Sequence, residues 1–122
     1  MPTRAPDELL PLTPVVLHIL LALAGGARHG YAVAQDVEAL TDGAVRMGPG
    51  TLYGSLGRML AAGLIEETSE RAAGARADDD RTRRYYRATP FGRRVLQREL
   101  DRLARVVDLA RDRRLLPRPE AT

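Results

Sequence analysis

The stretch GPGTLYGSLGRMLAAGLI, residues 48–65, predicts a helix with an unusual outer face. Its apolar side chains recur at helical spacing and mark one buried side: Leu52, Leu56, Met59 and Leu60. The opposite side is small and nearly uncharged: Thr51, Tyr53, Gly54, Gly57 and Arg58. A glycine inside a helix costs about 1 kcal/mol. A bare face of this kind therefore indicates a helix that another molecule approaches closely.

The flanking sequence predicts helices and strands in a definite order. Thr13-Pro14 and Thr89-Pro90 each place a capping hydroxyl before a proline at the first helical position. Between these points lie a second helix, which Gly43 closes, and the helix that Pro49 opens. LIEETSE (64–70) and TRRYYRAT (82–89) predict two strands joined by a long loop. The fold class is mainly α with a small two-stranded β-hairpin: a winged helix-turn-helix plus a C-terminal dimerisation helix.

In a winged helix-turn-helix, the third helix enters the major groove of DNA and the hairpin loop reaches the backbone or a neighbouring groove. We therefore predict a set of DNA-binding residues on the third helix: Pro49, Gly50, Thr51, Tyr53, Gly54 and Arg58. Hydroxyls and free N–H groups at the first turn can hold a phosphate. The alternatives are a capping role for Thr51, packing of Tyr53 on a neighbouring helix, and a solvated Arg58.

Charge is distributed unevenly along the chain. Residues 1–80 hold six arginines and eleven acidic residues, whereas residues 81–122 hold thirteen arginines and five acidic residues. We predict that Arg81 and Arg83, near the wing tip, contact phosphates or the minor groove; an ordinary solvated hairpin is the alternative. Carboxylates at residues 78–80 would repel phosphate, so deep insertion of the tip is not expected.

Alternation along the second strand separates its side chains into two faces. It places Arg83, Tyr85 and Arg87 on one face, and it places Arg84, Tyr86 and Ala88 on the other. We expect Tyr86 and Ala88 to face the core together with Phe91.

Two segments carry a resemblance to a known family. GTLYGSLGRMLAAGLI and RRYYRATPFGRR together resemble the PadR family of bacterial transcriptional regulators, and HGYAVAQDV resembles the start of that family's second helix. The similarity covers about residues 13–96, and the short last helix resembles a smaller subgroup. It implies a dimeric repressor of transcription that responds to a small molecule or a stress signal. The chain departs from the family pattern at Gly54 and Ala88.

The last helix carries a heptad pattern that predicts a homodimer interface: Leu96, Leu100, Leu103, Val107 and Ala110. The alternative is a helix folded onto its own domain. A dimer would present two third helices about one DNA turn apart, roughly 34–36 Å, and would bind palindromic double-stranded DNA. The sequence names no effector, and without tryptophan it does not support stacking of a flat aromatic ligand between tryptophans.

The chain of 122 residues suits one domain. We expect an N-terminal arm (1–12), a DNA-binding domain (13–89) with its wing loop at about 69–82, a dimerisation helix (90–116) and a tail (117–122). Without cysteine, and without an apolar run near the ~20 residues that span a bilayer, a cytoplasmic protein with no membrane partner is expected.

Catalysis and metal binding are not expected. The only histidines are His18 and His29, which are too few ligands for a zinc site. We expect His18 in the core or an interface and His29 at the start of the second helix. The chain shows no nucleophile–base set or phosphate-binding loop, so neither a cofactor nor a metal is predicted.

The rival hypothesis is a dimeric winged-helix module that binds other proteins without specific DNA binding. Its support is the electrical neutrality of residues 13–65, which hold three arginines and three acidic residues. Salt distinguishes the two hypotheses, because phosphate contacts weaken steeply as ionic strength rises.

Overall fold

The computed structural model describes residues 5–69 and 84–119, which form four α-helices and a three-stranded antiparallel sheet. The helices are α1 (Pro14–Ala24), α2 (Gly30–Leu40), α3 (Pro49–Ala61) and α4 (Pro90–Asp112). The strands are β1 (Arg28–His29), β2 (Ile65–Thr68) and β3 (Tyr85–Ala88), and a 3-10 turn spans Pro6–Leu9. The predicted fold class, mainly helical with a small sheet, is confirmed.

Helix starts lie where the sequence predicts them. The hydroxyl of Thr13 accepts a hydrogen bond from the Val16 N–H at 3.3 Å, and the hydroxyl of Thr89 accepts one from the Gly92 N–H at 2.9 Å. Both hydroxyls satisfy N–H groups that the first helical turn leaves without partners. α4 ends at Asp112, four residues before the end of the predicted dimerisation helix (90–116).

The core surrounds α1, in which Ile19, Leu20 and Leu23 are fully buried. This helix contacts α2, α3, α4 and β3, which explains why its sequence is apolar nearly all round. His18 is only half-buried, and its Nδ1 lies 2.6 Å from the Pro14 carbonyl oxygen of the same helix. His18 is therefore held by its own helix.

The sheet has the order β1-β3-β2, so the two-residue strand β1 is an element that the sequence analysis missed. It pairs antiparallel with β3, on the side of β3 that faces away from β2, and His29 lies opposite Tyr85. The rings of these two residues meet edge to face, with centroids 5.8 Å apart. Tyr85 is 3% exposed as a result, so the strand face that alternation assigns to Tyr85 and Arg87 is buried at Tyr85 and exposed at Arg87. Tyr86 and Ala88 are buried as expected.

The first turn of α4 rests directly on the backbone between α3 and β2. A Cβ at Gly92 would lie 1.9 Å from the carbonyl oxygen of Leu64. The N–H of Thr89 donates to that same oxygen at 3.1 Å, and its hydroxyl donates to the Gly63 carbonyl at 2.6 Å. Only glycine permits this approach, so residue 92 fixes where α4 lies relative to α3.

A buried carboxylate joins α4 to the arm that precedes α1. Glu99 is 1% exposed, and it accepts hydrogen bonds from the backbone N–H of Leu12 at 2.7 Å and from Nε of Arg102 at 2.5 Å. The hydrogen bond from Arg102 lowers the pKa of Glu99 below its ordinary value of 4.5; burial opposes this shift, and the bond from Leu12 supports it.

Replacing Gly92 by alanine is expected to destabilise the fold by about 3 kcal/mol, because the added methyl group must push two backbones apart. Gly57→Ala is the matched control, since a Cβ there meets nothing within 4 Å. That change should stabilise α3 by about 0.5–1 kcal/mol. Urea unfolding of both variants measures the two effects. Equal stabilities would contradict the assigned contact.

The carboxylate of Glu99 makes stability depend on pH in a defined direction. A carboxyl whose pKa is lower in the folded chain contributes stability that is present above its unfolded pKa and is lost as pH falls through its folded pKa. Acidification below about pH 4.5 should therefore destabilise the parent chain more steeply than Glu99→Gln. Denaturant unfolding between pH 6 and pH 3 measures this difference, and parallel pH profiles would refute it.

Candidate nucleic-acid interface

The start of α3 offers unpaired backbone donors to solvent. Pro49 occupies the first turn, and the preceding Gly48 provides no side-chain cap for it. Pro49, Gly50 and Thr51 are all exposed. The N–H groups of a first helical turn and the positive end of the helix dipole attract anions. This turn can therefore receive a phosphate group.

The glycines of the outer face of α3 have no packing reason within the described chain. A Cβ at Gly50 or Gly57 would meet nothing within 4 Å, and both residues are exposed. Alanine at an interior position such as residue 57 would stabilise the helix by about 1 kcal/mol. The bare surface therefore weakens the fold and keeps α3 slim toward an external partner.

Arg58 lies against this slim surface. Its Nη2 donates to the hydroxyl of the buried Ser55 at 3.3 Å, and its Nη1 is 3.4 Å from the position of a Cβ at Gly54. A methyl group at residue 54 would stand in ordinary van der Waals contact with this guanidinium. Within residues 5–69 and 84–119, no ion pair involves Arg58.

Tyr53 projects from α3 but is supported from behind. Its side chain is 54% exposed, while its ring packs on Gly30, the buried first residue of α2. A Cβ at Gly30 would lie 3.0 Å from Cε1 and 3.2 Å from the hydroxyl oxygen of Tyr53. This close contact holds the ring with its hydroxyl near the start of α2.

The turn before α2 ties this helix to the hairpin. Nδ1 of His29 accepts the N–H of Ala32 at 3.2 Å, so His29 caps α2 as expected. Arg28, its neighbour in β1, pairs with Asp36 of α2 at 2.9 Å. Tyr31, which is 60% exposed, stands at the second position of α2.

Carboxylates of β2 neutralise the arginines at the base of the hairpin. Arg84 pairs with Glu67 at 3.1 Å, and Arg87 pairs with Glu66 at 2.8 Å. Burial raises the pKa of the Tyr86 hydroxyl, and the charge of Glu67 adds to this shift. The described part of the hairpin therefore brings little net positive charge to a partner.

The structure places the predicted residues of α3 on one exposed surface: Pro49, Gly50, Thr51, Tyr53, Gly54 and Arg58. We call these six residues the α3 surface. Arg81, Arg83, the carboxylates 78–80 and most of the predicted wing loop lie outside the described residues. Their roles stay predictions.

The seam of α4, by which we mean the five residues of its predicted heptad pattern, differs in burial on the two sides of Glu99. Leu96 is 6% exposed and packs in the core of its own chain, which removes its side chain from the surface. Leu100 is 40% exposed, and three further seam residues are half-buried: Leu103, Val107 and Ala110. The structure adds two exposed apolar residues that the heptad pattern did not include, Val106 and Leu109.

Residues 5–69 and 84–119 contain neither a metal-binding cluster nor a membrane-spanning helix. No cluster of three or more histidine, aspartate or glutamate side chains there could hold a metal ion. None of the helices in these ranges combines the length and the apolarity required to cross a membrane.

Comparisons with known proteins find a matching family model and related proteins. The model of the transcriptional regulator PadR-like family matches residues 16–98. Transcriptional regulator Rv3488 of Mycobacterium tuberculosis is 44% identical over 96 residues, which cover 76% of this chain and 81% of that protein. An uncharacterized 37.1 kDa protein in transposon TN4556 of Streptomyces fradiae is 36% identical over 88 residues. The match covers 72% of this chain but only 22% of the length of the transposon protein.

Solved structures show the same fold at low identity. A PadR family transcription regulator from Clostridium difficile matches with a TM-score of 0.62 and 22% identity, over 82% of this chain and 97% of the other. RosR of H. salinarum matches with a TM-score of 0.60 and 24% identity, over 88% of this chain and 99% of the other.

We expect Gly30→Ala to displace the Tyr53 ring, because a methyl group at residue 30 would occupy the space of the ring edge. Overpacking of this kind costs about 1 kcal/mol or more. Gly50→Ala is the control, since open space surrounds that position. Ring chemical shifts and cross-relaxation between residue 30 and Tyr53, measured by NMR, report the change. Unaltered ring signals in Gly30→Ala would disprove the contact.

Proposed function

This chain belongs to the transcriptional regulator PadR-like family, and from that premise we propose that it is a homodimeric repressor that binds a palindromic operator in double-stranded DNA. Members of this family are regulators and not enzymes. The proposal assigns base reading to the α3 surface and phosphate anchoring to the first turn of α3 and to the wing. A small molecule or a stress signal releases the operator.

The observation that carries the proposal is the unfilled glycine face of α3. Gly50 and Gly57 are exposed and have open space where a side chain would stand. A helix in the major groove benefits from a slim face, because its backbone and short side chains then reach base edges. Because nothing in the described part of the chain needs these glycines, close approach to DNA supplies a reason for them.

Anchoring comes from donors that stand beside this face. The free N–H groups of Gly50 and Thr51 and the hydroxyls of Thr51 and Tyr53 are suited to phosphate oxygens. Tyr53 is suited to this role because Gly30 supports its ring from behind. Arg58, which has no ion pair among the described residues, provides the cation of α3 for a base edge or a phosphate.

The wing contributes through the arginines that precede β3. Because Arg84 and Arg87 already pair with Glu67 and Glu66, we assign the wing contacts to Arg81 and Arg83. Few long hydrogen-bonding side chains stand on the α3 surface. Specificity therefore depends in part on the sequence-dependent shape and deformability of the DNA.

Dimerisation is assigned to the part of α4 beyond Glu99. Leu100, Leu103, Val107 and Ala110 form an apolar stripe that is incompletely covered by the described chain, and Val106 widens it. Pairing of this stripe with its symmetry mate would bury it and hold two α3 helices about one DNA turn apart, roughly 34–36 Å. A signal that moves the α4 helices changes this separation and with it the affinity for the operator.

The test is fluorescence anisotropy with a labelled fragment of the protein's own upstream region and a scrambled fragment, across a salt series. If Arg58, Arg81 and Arg83 of both protomers contact phosphates, the logarithm of affinity should fall with the logarithm of salt at a slope of about −5. Fragment-selective binding with this dependence supports the proposal. Equal, salt-insensitive signals for both fragments would favour the module that binds proteins.

Arg83→Ala should reduce the salt slope by about 2 per dimer and weaken binding to all sequences alike, because two phosphate contacts disappear. Arg84→Ala, one residue further along the chain, is the matched comparison, and its effect should be smaller because Arg84 is already paired with Glu67. The same anisotropy titrations measure both variants. An unchanged slope in Arg83→Ala would remove Arg83 from the interface.

A further inference from the structure

Glu99 marks the point at which α4 leaves the domain. The buried residues of α4 are Gly92, Val95, Leu96 and Glu99, and no residue described between 100 and 119 is buried. The first three turns of α4 therefore belong to the core. The remaining turns, with the stripe assigned to dimerisation, extend beyond it.

At this exit point, Glu99 is bonded to the start of α1. Its carboxylate accepts the backbone N–H of Leu12, directly before the Thr13 cap, over a separation of 87 residues in the chain. The turn Pro6–Leu9 also packs on α4. Since α1 is the centre of the core, the hydrogen bond from Leu12 to Glu99 connects the exit of α4 to the element on which α3 is packed.

A charged side chain at this position has a free-energy cost that an apolar side chain would not have. Burying a carboxylate is unfavourable unless hydrogen bonds and an opposite charge compensate it, and an apolar residue of similar size is often as stable or more stable. Apolar packing, however, tolerates small rotations of a helix, whereas the hydrogen bond from Leu12 is directional and ties α4 to the arm before α1. The bond from Arg102 lies within α4 and orients the carboxylate of Glu99. Glu99 therefore constrains the direction of α4 more narrowly than a hydrophobic residue at this position would.

We propose that Glu99 is a positioning residue, which sets the angle of α4 relative to the DNA-binding domain and so the separation of the two α3 helices in the dimer. This inference rests on the proposed function, since it requires a dimer that reads two half-sites. It concerns operator spacing and not the affinity of one half-site.

Because the projecting part of α4 is long, a small change in its angle produces a large displacement at its far end. From Glu99 to Asp112, α4 continues for thirteen residues, or roughly 20 Å at 1.5 Å per residue. A tilt of about 10° at Glu99 moves the far end by roughly 3.5 Å by this geometry. This displacement is close to the rise of one base pair, about 3.4 Å. If the angle of α4 became slightly less well defined at Glu99, the dimer would therefore also bind operators whose half-sites have the wrong spacing.

The first experiment measures operator spacing. The operator fragment is lengthened or shortened by one base pair at its centre, and affinities are compared for the parent chain, Glu99→Met and Glu99→Gln. The parent chain should prefer one spacing by about tenfold or more. Glu99→Met should lose most of this preference, while Glu99→Gln, which keeps an acceptor for the Leu12 N–H, should keep part of it.

Asp108→Asn is the matched control. Asp108 pairs with Arg111 three residues further along α4, as Glu99 pairs with Arg102, but Asp108 is exposed and its pair stands apart from the arm. The spacing preference of Asp108→Asn should equal that of the parent chain. A Glu99→Met variant that is stably folded and keeps the parent's preference would overturn the proposal.

A second measurement does not need DNA. Because the chain has no cysteine, Ala61→Cys at the exposed end of α3 gives one spin label per protomer. Pulsed electron paramagnetic resonance should show one narrow distance in the parent dimer and a shifted or broader one in Glu99→Met or Glu99→Gln. Identical distributions, or no distance because the chain is monomeric, would overturn the assignment. Failure of the parent to bind any operator would instead refute the proposed function, while the distances still test Glu99.

Discussion

Where α4 begins, the helix backbone lies so close to the Leu64 carbonyl that a Cβ at residue 92 would be 1.9 Å from its oxygen. Thr89 adds hydrogen bonds from the same turn to the carbonyls of Gly63 and Leu64. Three elements meet at this point: α3, the hairpin and the long helix α4. Because backbone rests on backbone, their relative placement does not depend on flexible side chains.

A second polar contact continues this arrangement along α4. Two turns after Gly92, the buried Glu99 accepts the N–H of Leu12 and pairs with Arg102. The junction at Gly92 fixes the position of α4, and the contact at Glu99 limits its direction. Both are directional or close-packed contacts in a small domain whose remaining core is mostly aliphatic, and aliphatic packing tolerates small shifts.

The α3 surface, in contrast, contains residues that weaken the fold instead of stabilising it. Its glycines lower helix stability, and no neighbour within the described chain compensates for them. Its described charge is limited to Arg58, and the arginines at the base of the hairpin are already paired with Glu66 and Glu67. The surface is thus shaped for close approach more than for electrostatic attraction, in keeping with recognition that depends partly on DNA shape.

Local patterns determined the parts of this protein that the sequence predicted correctly. Hydroxyl and proline pairs defined the starts of α1 and α4, and the helical spacing of apolar residues separated the buried face of α3 from the exposed one. These features depend on interactions within one or two turns of chain, which a sequence displays directly. The exposed residues of the candidate site on α3 were predictable for the same reason.

Only the tertiary structure decided the features that depend on distant partners. The strand β1 has two residues and no periodicity, and it exists because β3 pairs with it, which also buries Tyr85. Leu96 and Leu100 fit one heptad, yet the core takes the first and leaves the second 40% exposed. From the sequence alone Glu99 would be expected on the surface, yet in the structure the arm covers it. The sequence by itself determined helix order, caps and the slim face of α3, whereas long-range packing decided which apolar and charged side chains are buried.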